Sequence, residues 1–247
     1  MSHTPTACAL LIGNEILSGR TIDKNLSEFG IRLDACGIRL KEVRVIPDEP
    51  QAIIEAVNHC RARFDYVFTT GGIGPTHDDI TSACIAQAFN VPLILHPEAE
   101  ALLRDFYGEK INAARLKMAE IPEGATLIAN PVSIAPGFIL ENVYVLAGVP
   151  SIMRAMMDEL KPILKGGAPM ETIAFNLMMA EGDAAAQLTE IQATYHSLEI
   201  GIYPRILEGV LASHIVLRGN EPAVLQACYS ACQEQFGAHQ IEDVLTA

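Results

Sequence analysis

Tyr66-Val67-Phe68-Thr69-Thr70-Gly71-Gly72-Ile73-Gly74-Pro75-Thr76-His77-Asp78-Asp79-Ile80-Thr81 joins a short buried strand, a turn with few side chains and a helix start. Glycines let backbone N–H groups approach an anion closely, and a helix N-terminus adds partial positive charge. Gly71, Gly72 and Gly74 therefore outline a phosphate cradle. The same residues also describe a tight turn followed by an ordinary capped helix, expected to run from Asp78 to Phe89. There Asp78 and Asp79 would each contribute up to about 1 kcal/mol through the helix dipole. Spacing alone does not choose between the two. The dinucleotide fingerprint fails, because no third glycine follows Gly72-Ile73-Gly74 at the required place. That excludes a nicotinamide enzyme of the usual kind.

Outward from this stretch, strands and helices alternate. Ala7 to Ile12 is a continuous apolar run, the pattern of a strand buried on both faces. Asp23 caps a helix with Leu26, Phe29 and Leu33 on one face, stopped at Gly37. A strand follows at Leu40 to Ile46. A helix then opens at Pro47-Asp48-Glu49-Pro50. After Phe89 come a short strand, Pro92 to Leu95, a helix from Pro97 to Tyr107 and another within Asn112 to Ala119. Phe138 to Leu140 and Val143 to Leu146 read as a hairpin with Asn142 at its tip, and a Met-rich helix ends near Leu164. Repeated crossovers of a dozen or more residues imply an α/β fold, a mostly parallel sheet with helices on both faces. Ligands of such sheets sit at the carboxyl ends of the strands.

Lys165-Gly166-Gly167-Ala168-Pro169 breaks the pattern. The tail reads strand (172–178), helix (184–195), strand (198–203), strand (213–218), helix (222–236), a small α+β domain. The expected division is 1–168 and 169–247.

Seventeen Lys and Arg against thirty Asp and Glu give a net charge of −13. An acidic chain without a basic patch repels a polyanion, so nucleic acid is not an expected partner. No apolar run approaches the roughly 18–20 residues that a membrane span needs, and Met1 to Pro5 lacks the basic start of a signal peptide. A cytoplasmic protein without membrane association is expected. Cys8, Cys36, Cys60, Cys84, Cys228 and Cys232 form no Cys-x-x-Cys pair and read as small buried hydrophobes.

Two carboxylates beside an anion cradle pose an electrostatic problem, since like charges about 4 Å apart repel by roughly 4 kcal/mol at an effective dielectric of about 20. A hard divalent cation (Mg²⁺, Mn²⁺ or Co²⁺) resolves it, with Asp78 and Asp79 as candidate ligands. His77 either joins them or is an exposed turn residue. The loop from Gly13 through Asn14, Glu15, Ser18 and Arg20 to Thr21 also follows a buried strand, but fails as a Walker A loop because five residues separate its glycines. Glu15 is a candidate for orienting a water or metal. Gly13, Asn14, Ser18 and Arg20 are candidates for ligand contact, against ordinary loop capping. Pro136, Gly137 and Gly148 either shape a pocket wall or punctuate the hairpin. Arg115 and Lys117 read as a solvated helix face.

These loops together resemble the molybdopterin-binding-like domain of the CinA, or competence/damage-inducible, family, related to MoaB and Mog. The resemblance rests on Thr69 to Thr81, Asp23-x-Asn25, Ile121-Pro-Glu-Gly124, Asn130-Pro131, Ala135-Pro-Gly-Phe138 and Gly148-Val-Pro150, and covers about residues 5–165. The tail with Ile202-Tyr203-Pro204-Arg205 resembles the family's small second domain. It implies a pterin phosphate or nucleotide diphosphate ligand and a homo-oligomer. It also implies one of three activities: metal-dependent hydrolysis of ADP-ribose or FAD, with Glu15 and Asp79 in catalysis; binding without turnover; or adenylyl transfer to molybdopterin. One departure stands out, because Asn14 replaces the family's usual Asp, and metal duty at that loop shifts to Glu15. Full CinA proteins add a nicotinamide-nucleotide amidase domain, for which these 247 residues leave no room, so deamidation is not expected.

Overall fold

The computed structural model describes residues 4–207, 209–237 and 241–243. The chain divides into two compact units, Met1–Gly167 and Ala168–Ala247.

In the first unit the elements run β1 (Thr6–Ile12), α1 (Asn14–Leu17), α2 (Asn25–Ala35), β2 (Arg39–Ile46), α3 (Pro50–Arg61), β3 (Tyr66–Thr70), α4 (Thr81–Phe89), β4 (Leu93–Leu95) and α5 (Pro97–Tyr107). They continue with α6 (Ala113–Lys117), β5 (Glu120–Pro122), β6 (Thr126–Ile128), β7 (Gly137–Leu140), β8 (Val143–Leu146) and α7 (Pro150–Leu160). Six strands form one sheet in the order β2-β1-β3-β8-β7-β6. The first four are parallel; β7 and β6 are antiparallel additions. Alternate residues of β1 face opposite cores, as strand geometry requires. Cys8, Leu10 and Ile12 join Ile53, Val57 and Ile85 on the side of α3 and α4, while Ala7, Ala9 and Leu11 join Phe29, Leu33 and Met153 on the side of α2 and α7. The α/β reading with helices on both faces holds.

Several local expectations need correction. The helix expected from Asp78 begins at Thr81. Asp79 Oδ2 accepts the Thr76 N–H at 2.8 Å, a side-chain bond that holds the backbone in a turn instead of a helix. Thr81 meanwhile ties the helix start to the strand end, its N–H donating to the Gly72 carbonyl and its hydroxyl to that of Gly71. The expected strand around Leu93 forms, but pairs with β5 in a separate two-stranded sheet. β6 has no counterpart in the sequence reading, being three residues long. The Met-rich helix stops at Leu160, not near Leu164. The hairpin turn lacks glycine, yet Glu141 takes the left-handed φ of 51°. Asn142 steadies that turn through its Nδ2, which donates to the carbonyls of Arg61 and Phe64.

The second unit contains β9 (Glu171–Leu177), α8 (Glu181–Thr194), β10 (Glu199–Leu207), β11 (Val210–Gly219), α9 (Pro222–Phe236) and β12 (Ile241–Asp243). Its antiparallel sheet has the order β10-β11-β9-β12. Phe175, Leu177, Ile215 and Leu217 pack against Leu188, Leu225, Cys228 and Cys232 of the two helices.

Candidate functional site

At the carboxyl ends of the parallel strands the first unit opens into a cleft of about 530 Å³. Its lining comes from within residues 12–16, 21–25, 70–79, 130–135 and 147–152, together with Asp48 and Met118. The strand order explains the convergence, since β1, β3 and β8 are neighbours and all end on the same side.

The turn after β3 is shaped by close backbone approach. Gly71 has φ 98°, and a Cβ there would lie 2.2 Å from the Ile12 carbonyl oxygen. Its N–H donates to the Leu146 carbonyl, so its amide serves the fold. The amides of Gly72, Ile73 and Gly74 have no acceptor among the described residues. All three residues line the cleft, so their amides are the turn's free donors there.

Asp78 and Asp79 both line the cleft. The Thr76 hydroxyl lies 2.5 Å from Asp78 Oδ1 and 2.6 Å from Asp79 Oδ2. A hydroxyl has one proton and donates to one carboxylate at a time, so two anionic oxygens converge on a single donor. That hydroxyl bond, with help from the Asp78 amide, holds the Asp78 carboxyl below the usual range, and His77 and Lys117 add smaller pulls in the same direction. Lys117 does not sit on a purely solvated face, as its ammonium donates to the Thr76 carbonyl oxygen. Arg115 caps the Tyr107 ring and donates to the Lys110 carbonyl, away from the cleft. His77 is exposed at the turn, 4.0 Å from Asp78.

Glu15 lines the cleft with its carboxylate folded back over Gly13. Gly13 and Gly148 also line it, but Asn14, Ser18, Pro136 and Gly137 do not. The Asn14 N–H donates to Asp48 Oδ2 at 2.9 Å. The Ser18 hydroxyl donates to the Glu15 carbonyl at 3.2 Å and closes the short α1. Pro136 and Gly137 are buried at the start of β7, where a Cβ on Gly137 would meet the Val145 carbonyl oxygen at 2.2 Å. Their place is in packing.

Two cleft residues acquire a role that sequence reasoning did not assign. In the sequence Asp48 reads only as part of a helix start; its position just beyond a parallel strand end is the available signal. Asn25 is buried at the start of α2, and its Nδ2 donates to Thr70 Oγ1 at 3.0 Å and to the Gly148 carbonyl at 2.8 Å, tying three loops together. Its Oδ1 is buried without a hydrogen-bond partner. Asp23 contributes the cap expected of it, accepting the Leu26 N–H at 2.8 Å.

The lining therefore carries five carboxylates (Glu15, Asp23, Asp48, Asp78 and Asp79) and one cation, Lys24. The donor set is hard oxygen throughout, which fits Mg²⁺, Mn²⁺ or Co²⁺.

A parallel sheet with a glycine-rich acidic cleft at its strand ends defines the class, and comparison supplies the family. Residues 8–166 match the family described as a probable molybdopterin binding domain, and the chain belongs to it. Within that family it is CinA-like. A crystal structure of CinA, of unknown function, from Thermoplasma acidophilum superposes with a TM-score of 0.62 at 34% identity, covering 66% of this chain and 99% of that one. A CinA-like protein from Desulfosudis oleivorans is 36% identical over 156 residues, 60% of this chain but 38% of that longer protein. A Pyrobaculum calidifontis protein is 32% identical over 247 residues, 94% of each chain. Residues 169–245 match the family described as the middle domain of FAD synthase. Among the described residues no helix is long and apolar enough to cross a membrane.

Proposed function

We propose that the cleft hydrolyses a nucleotide pyrophosphate of the ADP-ribose or FAD kind in the presence of a divalent cation. The carrying observation is the juxtaposition of free amides at Gly72, Ile73 and Gly74 with Asp78 and Asp79 in one cleft. The amides suit phosphate oxygens, yet a diphosphate entering a lining of five acids and one lysine is repelled unless a cation comes with it. Asp78 and Asp79 would hold that cation, which when bound neutralises phosphate charge and sharpens a water as nucleophile. Glu15 would orient the water and take its proton. Water oxygen then bonds to one phosphorus, and the bridging P–O bond breaks with its electron pair leaving on the second phosphate. The FAD synthase name attached to the second unit's family supports a nucleotide diphosphate as the ligand class.

A second reading, binding of a pterin or nucleotide without turnover, is favoured by one observation: Asp79 already braces the Thr76 turn. Adenylyl transfer to molybdopterin is a third. The deciding assay incubates the protein with ADP-ribose or FAD, with Mg²⁺, Mn²⁺ or Co²⁺ against chelator, and with ATP plus pterin. Hydrolysis is expected with metal, and Asp78→Asn combined with Asp79→Asn should abolish it. Glu15→Gln should lower kcat by about 10²-fold or more while KM changes little. Ligand binding with no product in any arm would reject the enzyme and leave the binding module. Light scattering tests the homo-oligomer that the family resemblance implies.

A further inference from the structure

Away from the cleft, Cys8 on β1 and Cys60 on α3 are 52 positions apart, yet the Cys8 thiol donates to the Cys60 sulfur at 3.3 Å. Neither residue reaches solvent. Glu42 pairs with Cys8 from the edge strand β2. A carboxylate oxygen of Glu42 and both sulfurs all lie within 4.8 Å of one another. Glu42 is itself bonded by Arg44 Nε at 2.6 Å, and Arg63 stands 3.9 Å away.

We propose that Cys8, Cys60 and Glu42 form a binding site for a thiophilic divalent cation of the Zn²⁺ class. The sulfur separation argues for a chelate over a disulfide. Tetrahedral zinc with Zn–S bonds of about 2.3 Å sets its sulfurs about 3.8 Å apart, so the pair opens by about 0.5 Å. A disulfide of about 2.05 Å requires closing by about 1.2 Å. Charge also balances. Two thiolates and one carboxylate leave a dication at −1, and Arg44, still bonded to Glu42, neutralises the remainder as outer-shell partners do. Both thiol protons pass to solvent on binding. Glu42 is the partly exposed member, where a water completes four-coordination. The site is soft where the cleft is hard, so the two select different ions.

The test titrates the reduced, metal-free full chain with Cd²⁺, a spectroscopic stand-in for Zn²⁺. A sulfur-to-metal charge-transfer band should saturate at a single equivalent, yield to Zn²⁺ and resist Mg²⁺. It should vanish in Cys8→Ala and Cys60→Ala. It should persist in Cys228→Ala combined with Cys232→Ala, which removes the other buried thiol pair, on α9. Glu42→Gln should weaken Cd²⁺ binding about tenfold or more; this half-exposed position decides the question if the cysteine variants fail to fold. No band in the wild-type protein, a band carried by the α9 pair, or unchanged affinity in Glu42→Gln overturns the assignment.

Discussion

Two loops follow buried parallel strands and face the same cleft, yet the chain holds them very differently. In the loop after β3, missing Cβ atoms make room for other groups: the Ile12 carbonyl 2.2 Å from where a Gly71 Cβ would be, Thr81 Oγ1 2.1 Å from that of Gly72, and the Asp79 carboxylate 2.6 Å from that of Gly74. In the loop after β1, Gly19 faces open space and Gly13 meets only the movable end of Glu15. A strand end delivers a loop to the cleft, but close approach by other segments makes it rigid. Rigidity is what an anion cradle needs, because donors held in place lose little entropy on binding.

The sharpest test substitutes alanine for glycine in each loop. Gly71→Ala should cost about 2–5 kcal/mol, combining left-handed strain with a collision against backbone that cannot give. Gly19→Ala should cost about 1–2 kcal/mol, from left-handed strain alone. Chemical denaturation measures both, and equal costs would end the contrast. Asn25→Ala comes next. It removes the tie between Thr70 and Gly148, and a loss of about 1–3 kcal/mol is expected in the same experiment because the buried Thr70 hydroxyl is left without its donor. A negligible loss would mean that the loops hold each other without it.

The smallest effect is electrostatic. Thr76→Val removes the hydroxyl that holds the Asp78 carboxyl low, so its titration should move up toward the usual carboxylate range. Because the folded value lies below the unfolded one, Asp78 contributes stability above the usual carboxylate range and loses it as pH falls through the depressed value. In Thr76→Val the loss should be smaller and should be complete at a higher pH. NMR titration of the Asp78 side-chain carbon reads the shift, and an unchanged midpoint would assign the depression to the Asp78 amide, His77 and Lys117 instead.

Most of the fold was legible because periodicity reports burial directly. The all-apolar Ala7–Ile12 run is buried throughout, and Pro222–Phe236 forms the expected helix. The failures have a common cause. β6 and β5 are three residues long and owe their existence to partners, β7 and β4, distant from any local signal. The helix expected at Asp78 lost to a side-chain bond between Asp79 and Thr76 that dipole reasoning did not weigh. Within the site, glycine and acid patterns found the loop after β3, whereas Asn14, Ser18, Pro136 and Gly137 followed the motif's neighbourhood and stand off the cleft lining.

By itself the sequence determined the α/β class, the succession of the main strands along the chain and the loops that carry chemistry, because hydrophobic period and turn residues act over a few neighbours. Only the tertiary structure decided which members of those loops face a common space. It made Asp48 and Asn25 part of the cleft, engaged the Gly71 amide with Leu146, and set Cys8 against Cys60. Those outcomes depend on how segments dozens of residues apart are brought into register, a property of packing that no local pattern encodes.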